Sequence, residues 1–218
     1  MLTRLKIKGF KNLFDCDVPF GPFTCVAGIN ASGKSNLFDA IMFLHDLANY
    51  SIVEAASRVR DNTGRRATNL KSLFTALPSG EVHDIDLEAE FLVRKVVLDD
   101  FGREAKPSAT HLRYKVMLRY VQPLGQTPER IELVHESLTY VLKTESRKRL
   151  GFGTSIEFWN SVIGGARRAD FISTEVNEGV SIIRLRQDGH QGRPLDIPAP
   201  NSPRTILSTI NTDDKPTA

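Results

Sequence analysis

Eight residues near the start of the chain have the types and the spacing that bind polyphosphates. Residues 28–35 read GINASGKS and fit the pattern G-x-x-x-x-G-K-[ST] in full. Glycines let such a loop curl until successive backbone N–H groups point inward, and a following helix adds the positive end of its dipole. Lys34 supplies a charge for the β and γ phosphates, and the Ser35 hydroxyl can join the coordination sphere of Mg²⁺. The sequence therefore predicts a site for a nucleoside triphosphate, with ATP as the expected ligand.

The elements around this loop have the order that such a site requires. The run FTCVA at 23–27 is apolar nearly throughout, as expected for a strand covered on both faces. From Lys34 onward the period becomes helical, with one apolar stripe made of Leu37, Ala40, Ile41, Leu44 and Ala48. This order favours phosphate binding over a glycine turn that merely caps a helix beside a surface lysine. A dinucleotide-binding strand is disfavoured because its G-x-G-x-x-G spacing is absent.

The rest of the pattern indicates an α/β chain with many antiparallel strands. Alternating charged and apolar residues predict strands over 4–10, 16–20, 84–91, 111–121, 131–143 and 181–186. Short helices are expected over 52–59 and 70–77. The segment from residue 189 is rich in Pro, Gly, Asn, Asp and Thr, so 189–218 is predicted to be an irregular tail after one domain portion that covers 1–188.

Composition excludes few function classes. The 218 residues include 29 basic and 26 acidic side chains, a balance of +3 that permits a nucleic-acid partner without requiring one. The first residues form no apolar run long enough for a signal peptide or a membrane span, which predicts a cytoplasmic protein without a membrane partner. Cys16 and Cys25 are then expected as small hydrophobic side chains rather than as a disulfide. The five histidines are scattered, without metal-ligand spacing.

Two segments together resemble a known family. Residues 5–12 (LKIKGFKN) followed by 28–37 (GINASGKSNL) look like the opening of RecF/SMC-type ATPases, the ABC-like AAA group that includes OLD-family nucleases. The resemblance is detailed over about the first 48 residues and architectural afterwards. It implies a P-loop NTPase of ABC/SMC-head type, in which a mixed sheet and an antiparallel sheet flank the P-loop helix, and it implies ATP and Mg²⁺ as cofactors.

The resemblance also assigns residue roles. Lys34 becomes the phosphate lysine and Ser35 the magnesium ligand. Lys11 occupies a position where the family has a basic residue near the nucleotide, and a solvated turn lysine is the alternative interpretation. The expected nucleotide-binding residues are Lys11, Gly28, Ile29, Asn30, Ala31, Ser32, Gly33, Lys34, Ser35 and Asn36.

Several parts of a complete ATPase head of this family cannot be found in the sequence. There is no signature loop, and the closest match to the acidic strand, VVLDD at 96–100, is one apolar residue short and has Asp where the base is normally Glu. That stretch is better interpreted as a strand running into an acidic turn, and the catalytic residues are unknown. We therefore expect an N-terminal part of a longer ATPase, with the tail leading into a missing half, that binds nucleotide but hydrolyses it poorly alone.

The resemblance suggests DNA as a further partner, and DNA repair or phage defence as the process. Two basic clusters could contact phosphates, although solvated loops are the commoner explanation of such runs: Arg58, Arg60, Arg65 and Arg66, and Lys143, Arg147, Lys148 and Arg149. A homodimer through the nucleotide face is expected in the complete protein. The alternatives are a P-loop GTPase, for which residues 61–64 (DNTG) fit D-x-x-G while N-K-x-D is absent, and a small-molecule kinase.

Overall fold

A large sheet and a layer of helices form the part of the chain that the structure describes. This structure, a computed structural model, describes residues 1–61, 69–98, 102–177, 179–186, 194–199 and 202–209. The strands are β1 (Leu2–Phe10), β2 (Leu13–Pro19), β3 (Ile85–Leu92), β4 (Val97–Leu98), β5 (Glu104–Ala105), β6 (His111–Val121), β7 (Arg130–Tyr140), β8 (Ile172–Asn177), β9 (Val180–Leu185) and β10 (Leu195–Pro198). The helices are α1 (Lys34–Leu47), α2 (Ile52–Arg58), α3 (Lys143–Arg149) and α4 (Ile156–Val162), with short 3₁₀ helices at Leu70–Leu73 and Leu207–Thr209. None of the helices in these residues is long and apolar enough to cross a membrane.

The main sheet has eight strands in the order β10-β9-β8-β7-β6-β3-β1-β2, and β4 pairs with β5 separately. Every strand pair in the described ranges is antiparallel. The α/β fold class predicted from the sequence is confirmed, with the large antiparallel sheet beside the helix that follows the loop. The mixed sheet expected next to it is not formed by the residues that the structure describes.

One face of the sheet forms the core. Leu5 and Ile7 of β1 are fully buried, and Ile7 lies opposite the equally buried Leu87 of β3. Alternate residues of a strand share a face, so these side chains line up across the sheet. Helix α1 packs against them, and the ring of Phe43 stacks on that of Phe10 with 5.7 Å between centroids. This packing fixes the position of α1, which begins at the loop.

The apolar stripe of α1 lies slightly off the predicted one. Leu37 and Ala40 are buried as predicted, and Phe43 and Leu47 hold the other core positions. The remaining members of the predicted stripe are half-buried: Ile41, Leu44 and Ala48.

The other face of the sheet carries columns of opposite charge. Lys6 of β1 lies 3.2 Å from the Glu88 carboxylate of β3, and Lys115 of β6 lies 3.0 Å from Asp86, also of β3. Opposite charges across neighbouring strands stabilise the pairing modestly and remain in contact with water. The alternation predicted for β1, β3 and β6 is therefore formed, with the charged residues on the outer face.

The segment before the loop differs from the prediction. Residues 24–29 belong to no strand, and the Phe23 side chain is 88% exposed. Ile29 and, on the outward side of α1, Phe38 and Met42 are also more than half exposed. The strand predicted at 23–27 is thus wrong for this structure, because no described strand lies beside it to take up its backbone hydrogen bonds.

The tail predicted to be irregular from residue 189 contains regular structure in its described residues. Strand β10 pairs with β9, with Ile197 opposite Ile183, and extends the sheet. Residues 202–209 then pack over the end of α1, where Thr205 and Ile206 are fully buried. A few apolar residues are enough to anchor this segment, and composition alone does not reveal them.

Candidate phosphate-binding site

The loop at 28–35 ends directly in the first turn of α1. Gly33 precedes the helix with a φ of 95°, a left-handed conformation that favours glycine, and Ala31 also has a positive φ of 62°. No side chain caps the helix start, and no acidic residue lies in its first turn. The first backbone N–H groups of a helix lack partners within the helix and attract anions. The loop therefore presents uncapped amide groups and the positive end of α1.

The lysine of the loop folds back over it. Lys34 Nζ donates to the carbonyl oxygens of Gly28 at 2.6 Å and Ile29 at 2.5 Å. An added Cβ at Gly28 would lie 3.1 Å from Ser32 Oγ, so the loop is tight at that point. The ammonium group is thus held at the mouth of the loop by neutral carbonyl groups. A phosphate anion offers a stronger, charge-assisted acceptor for the same group.

The turn between β1 and β2 contacts the loop from one side. Asn36 Nδ2 donates to Asn12 Oδ1 at 2.7 Å. An added Cβ on Gly33 would come within 3.1 Å of both Asn12 Oδ1 and Leu13 Cδ2. Any larger residue at Gly33 would therefore have to push the turn away, on top of the strain of its positive φ.

A buried carboxylate joins two cations beside the loop. Lys11 Nζ lies 2.8 Å from Asp39 Oδ2, and Arg60 NH2 lies 2.7 Å from Asp39 Oδ1. Only 6% of the Lys11 side chain is exposed, which excludes the solvated turn lysine that the sequence leaves open. The sequence places Arg60 in a basic cluster and gives no role to Asp39. The one signal for Asp39 is a carboxylate at a buried position of an amphipathic helix.

Residues of the loop and the side chains of Lys11, Asp39 and Arg60 line one cavity of about 870 Å³. This volume is within the range of small-molecule sites. Its polar wall includes Lys11, Asn30, Lys34, Ser35 and Asn36 from the predicted set. The apolar side chains of Phe74, Ala76 and Val82 line it as well. The cations in the lining are Lys11, Lys34, Arg60 and Lys71, and the carboxylates are Asp39 and Asp61. The cavity is therefore cationic on balance and suits an anionic ligand with an apolar part.

Comparison with known proteins shows what this region of the chain is similar to. Residues 23–99 match the family model described as "AAA domain, putative AbiEii toxin, Type IV TA system". An OLD nuclease of Thermus scotoductus (strain ATCC 700910 / SA-01) is 46% identical over 41 residues, which are 19% of this chain and 8% of that protein. Residues 23–99 are thus similar to an AAA-family domain, and part of the chain is similar to an OLD nuclease. These matches confirm the resemblance predicted from residues 5–12 and 28–37.

The similarity is limited in extent. The match to the OLD nuclease spans less than a tenth of the length of that relative. One solved chain, described as "Structural biochemistry of ATP-driven dimerization and DNA stimulated activation of SMC ATPases", superposes with a TM-score of 0.36 and 21% identity. That superposition covers 68% of this chain and 76% of the other, and at such a score it supports no argument about this chain.

The described side chains of the cavity do not form a metal site by themselves. In the described ranges no group of three or more His, Cys, Asp or Glu side chains is arranged to bind a metal ion. The Ser35 side chain lies at the cavity wall. Mg²⁺ usually keeps several waters and binds through one or two protein groups plus substrate phosphates. The Ser35 hydroxyl beside the loop could therefore serve as the one protein ligand of a Mg²⁺ ion that is otherwise bound by phosphates and waters.

The nearest match to an acidic catalytic strand lies outside the main sheet. Within the described part of the chain, strand β4 pairs with β5 alone, and its Leu98 is 67% exposed. Asp99 and Asp100 lie outside the described residues. An exposed two-residue strand is not a buried central strand of an ATPase, which agrees with the sequence interpretation of a strand running into a turn.

A hydroxyl and an imidazole meet in a second polar cluster, at the start of β6. His111 Nδ1 lies 2.8 Å from Ser146 Oγ of α3, and neighbouring Glu90 binds Arg149 at 2.7 Å and Arg113 at 3.1 Å. Such a pair can be a nucleophile with its base. Here Ser146, His111 and Glu90 are all at most 2% exposed, so no substrate can reach them. Burial lowers the pKa of His111 to about 4, and the cluster holds α3 on the sheet.

The described arginines of the first basic cluster contact other residues of the fold. Arg58 lies over the Tyr50 ring, 4.0 Å from its centroid, and 3.5 Å from Asp46, while Arg60 binds Asp39. Arg65 and Arg66 lie outside the described residues. The described half of this cluster therefore makes contacts within the fold.

The second basic cluster is more open. Arg149 is bound by Glu90 and Glu145, whereas the other three cations of α3 are exposed: Lys143, Arg147 and Lys148. The Arg147 guanidinium lies 5.5 Å from the centre of the Trp159 ring on α4. An exposed basic helix beside an aromatic ring is a surface that a polyanion can contact.

Proposed function

We propose that this chain is the nucleotide-binding portion of a RecF/SMC-like ATPase and that loop 28–35 binds the triphosphate of Mg-ATP. The single observation that carries the proposal is the uncapped start of α1, with Lys34 held at the mouth of the loop by neutral carbonyl groups. Amide groups at a helix start and one ammonium group form a site that charged phosphates fill better than backbone carbonyls.

The proposed roles follow from this arrangement. Lys34 exchanges its bonds to Gly28 and Ile29 for the β and γ phosphates, and Ser35 contributes its hydroxyl to Mg²⁺. The other loop residues contact phosphate through backbone or short side chains: Asn30, Ala31, Ser32, Gly33 and Asn36. Lys11, held by Asp39, faces the same cavity and adds positive charge beside the phosphates.

We also propose that this chain lacks part of what ATP hydrolysis requires. Hydrolysis in this family needs a signature loop and a base that orients water, and the sequence contains neither in recognisable form. The exposed apolar side chains before the loop and on α1, which include Phe23, Phe38 and Met42, support a missing partner surface. The domain portion at 1–188 would then bind nucleotide and turn it over slowly.

The partners of the complete protein are also proposals. A homodimer through the nucleotide face would bring a second head to the cavity, and the open basic helix α3 supports DNA as a ligand. DNA repair and phage defence are both compatible with such a protein. Asp61, the first residue of the D-x-x-G match, lines the cavity, which keeps the GTPase as the alternative to be tested.

Nucleotide titration with a matched pair of variants tests the proposal. We expect calorimetry to detect Mg-ATP binding by the wild type and Lys34→Ala to weaken it roughly tenfold or more, because alanine cannot form the charge-assisted bond to phosphate. Lys8→Ala on the outer face, where Lys8 forms an exposed ion pair with Asp15, serves as the control and should leave binding unchanged. Absence of heat with any magnesium nucleotide would overturn the proposal, and a clear preference for GTP would favour the alternative.

A further inference from the structure

Glu136 is a carboxylate in the middle of the core. It lies on β7 and is fully buried. Its Oε2 atom accepts from the backbone N–H of Ile206 at 2.6 Å, and its Oε1 atom accepts from the N–H of Leu207 and from the Tyr114 hydroxyl, each at 3.0 Å. A buried carboxylate is costly unless several donors surround it. Two of its three donors belong to residues 202–209, which we call the strap.

The strap also binds the helix layer. Thr205 Oγ1 donates to the carbonyl of Leu47, the last residue of α1, at 2.7 Å. The N–H of Ile52, the first residue of α2, donates to the Pro203 carbonyl at 2.9 Å. The carbonyl groups at a helix end have no partner within the helix, so the bond to Leu47 completes the end of α1 from outside. The strap thus joins β7 to the junction between α1 and α2.

The two ends of α1 therefore have different anchors. Its first residue is Lys34 of the loop, and its last residue is bonded to the strap about 21 Å away along a single helix. A 14-residue helix moves largely as one body, since its sides are packed and its backbone is bonded internally. A shift at Leu47 would carry the helix start, and the amide groups of the loop, with it.

We infer that the conformation of the strap sets the position of α1 and so of the phosphate loop, and that Glu136 holds the strap in place through its hydrogen bonds. Glu136 acts as a positioning residue, since it touches the strap and not the cavity. This inference rests on the proposed nucleotide site, and it adds a second element, far from the cavity, that controls how well the site is formed. Release of the strap lowers nucleotide affinity without removing any group that contacts the nucleotide.

Three variants of the whole chain test the inference. Glu136→Gln keeps the shape of the side chain but turns one acceptor into a donor facing the strap amides. Thr205→Val removes the hydroxyl that donates to the Leu47 carbonyl and accepts from the Ser208 N–H within the strap at 3.3 Å. Glu132→Gln, on the same strand but paired with Arg130 at the surface, is the matched control. Thermal melting first establishes which variants fold, and Thr205→Val carries the test if Glu136→Gln does not fold.

Hydrogen exchange and Mg-ATP titration provide the readouts. We expect Glu136→Gln and Thr205→Val to speed amide exchange in the last turn of α1 about tenfold and to weaken Mg-ATP binding roughly fivefold, while Glu132→Gln changes neither. Faster exchange at the end of α1 with unchanged affinity would overturn the inference, because the strap would then be only structural. If the wild type binds no nucleotide, the proposed function fails, and the strap is then judged by exchange at 28–34: unchanged exchange there in Glu136→Gln would overturn it.

Discussion

Asp39 shows how a single side chain can organise the charges beside a phosphate loop. Its two carboxylate oxygens bind different cations, Lys11 at 2.8 Å and Arg60 at 2.7 Å. Lys11 is nearly buried, so without Asp39 its ammonium group would lie in a poorly solvated place without a counter-charge, which is a costly arrangement. Asp39 therefore holds positive charge at the cavity wall before any ligand arrives, and it is unsuited to serve as a catalytic base while both cations hold it.

Protonation of one residue, His111, makes the stability of the fold depend on pH. Burial keeps its pKa at about 4 in the folded chain against 6.5 for an exposed histidine. The unfolded chain then binds a proton more readily than the folded chain, so His111 contributes stability above pH 6.5 that is lost as the pH falls from 6.5 to 4. The difference of about 2.5 pH units corresponds to about 3 kcal/mol. We expect urea unfolding of the wild type to show this loss across that window.

Substitution separates His111 from the other groups that titrate. His111→Gln is expected to flatten the slope of unfolding free energy between pH 6.5 and 4, whatever its effect on stability at pH 7. His45→Gln, at an exposed position of α1, is the control and should keep the wild-type slope. An unchanged slope in His111→Gln would show that the buried neutral ring is not what links folding to pH.

At the level of single residues, the sequence predicts functional side chains that are neighbours along the chain. The loop at 28–35 could be found because its chemistry resides in neighbouring residues with fixed spacing. Asp39 could not be joined to Lys11 and Arg60, which lie 28 and 21 residues away, since their meeting depends on a turn with positive φ at Lys11 and on the path of the chain after α2. The pairing of Ser146 with His111 could not be predicted for the same reason.

Among the elements, strands with one solvent-exposed face and one buried face were the most predictable. Alternation located β1, β3, β6 and β7 because polar residues of the outer face alternate with mostly apolar residues of the inner face, where Glu136 of β7 is an exception. The apolar run at 23–27 indicates burial but not the neighbour that provides it, and no described strand does. Helices α3 and α4 were not predicted: α3 buries only Ser146 and α4 buries no residue, so neither has an apolar stripe like the buried Ile52, Ala55 and Ala56 of the equally short α2. The packed tail depends on Glu136, which no local pattern connects to Ile206.

Helix α3 is the element that can test binding to DNA. Exchange of Lys143 and Lys148 for alanine together is expected to weaken duplex DNA binding and to reduce the slope of log affinity against log salt by about 0.9 for each phosphate that is no longer neutralised. The physical reason is that each lysine that neutralises a phosphate releases a condensed counterion. Titration of one duplex at two salt concentrations measures the slope.

The control uses an arginine that already has partners. Arg58→Ala removes a cation bound by Asp46 and Tyr50 and should leave the salt slope as in the wild type. Binding that ignores salt, or a slope unaffected by the Lys143 and Lys148 exchange, would remove α3 as a DNA-binding element.

For the molecule as a whole, the cavity beside the loop and several exposed apolar residues lie along the same helix. Lys34 and Asn36 of α1 line the cavity, whereas Phe38 and Met42 of the same helix are more than half exposed. Phe23 adds to the exposed apolar side chains close to the loop. Exposed apolar side chains beside a ligand site can mark an interaction surface, and under the proposed function the groups that complete catalysis would reach the cavity across it.

Turnover by the isolated chain measures how much of the catalytic apparatus it contains. We expect Mg-ATP hydrolysis to be far below the roughly 10 s⁻¹ typical of enzymes and close to that of Lys34→Ala, because binding alone does not orient the attacking water. A rate that rises with the square of chain concentration would indicate that two copies complete each other across the nucleotide face. Brisk hydrolysis at low concentration that Lys34→Ala abolishes would contradict the expectation. It would mean that a base and a charge-stabilising group lie within these 218 residues, with Asp61 at the cavity wall the first to be exchanged.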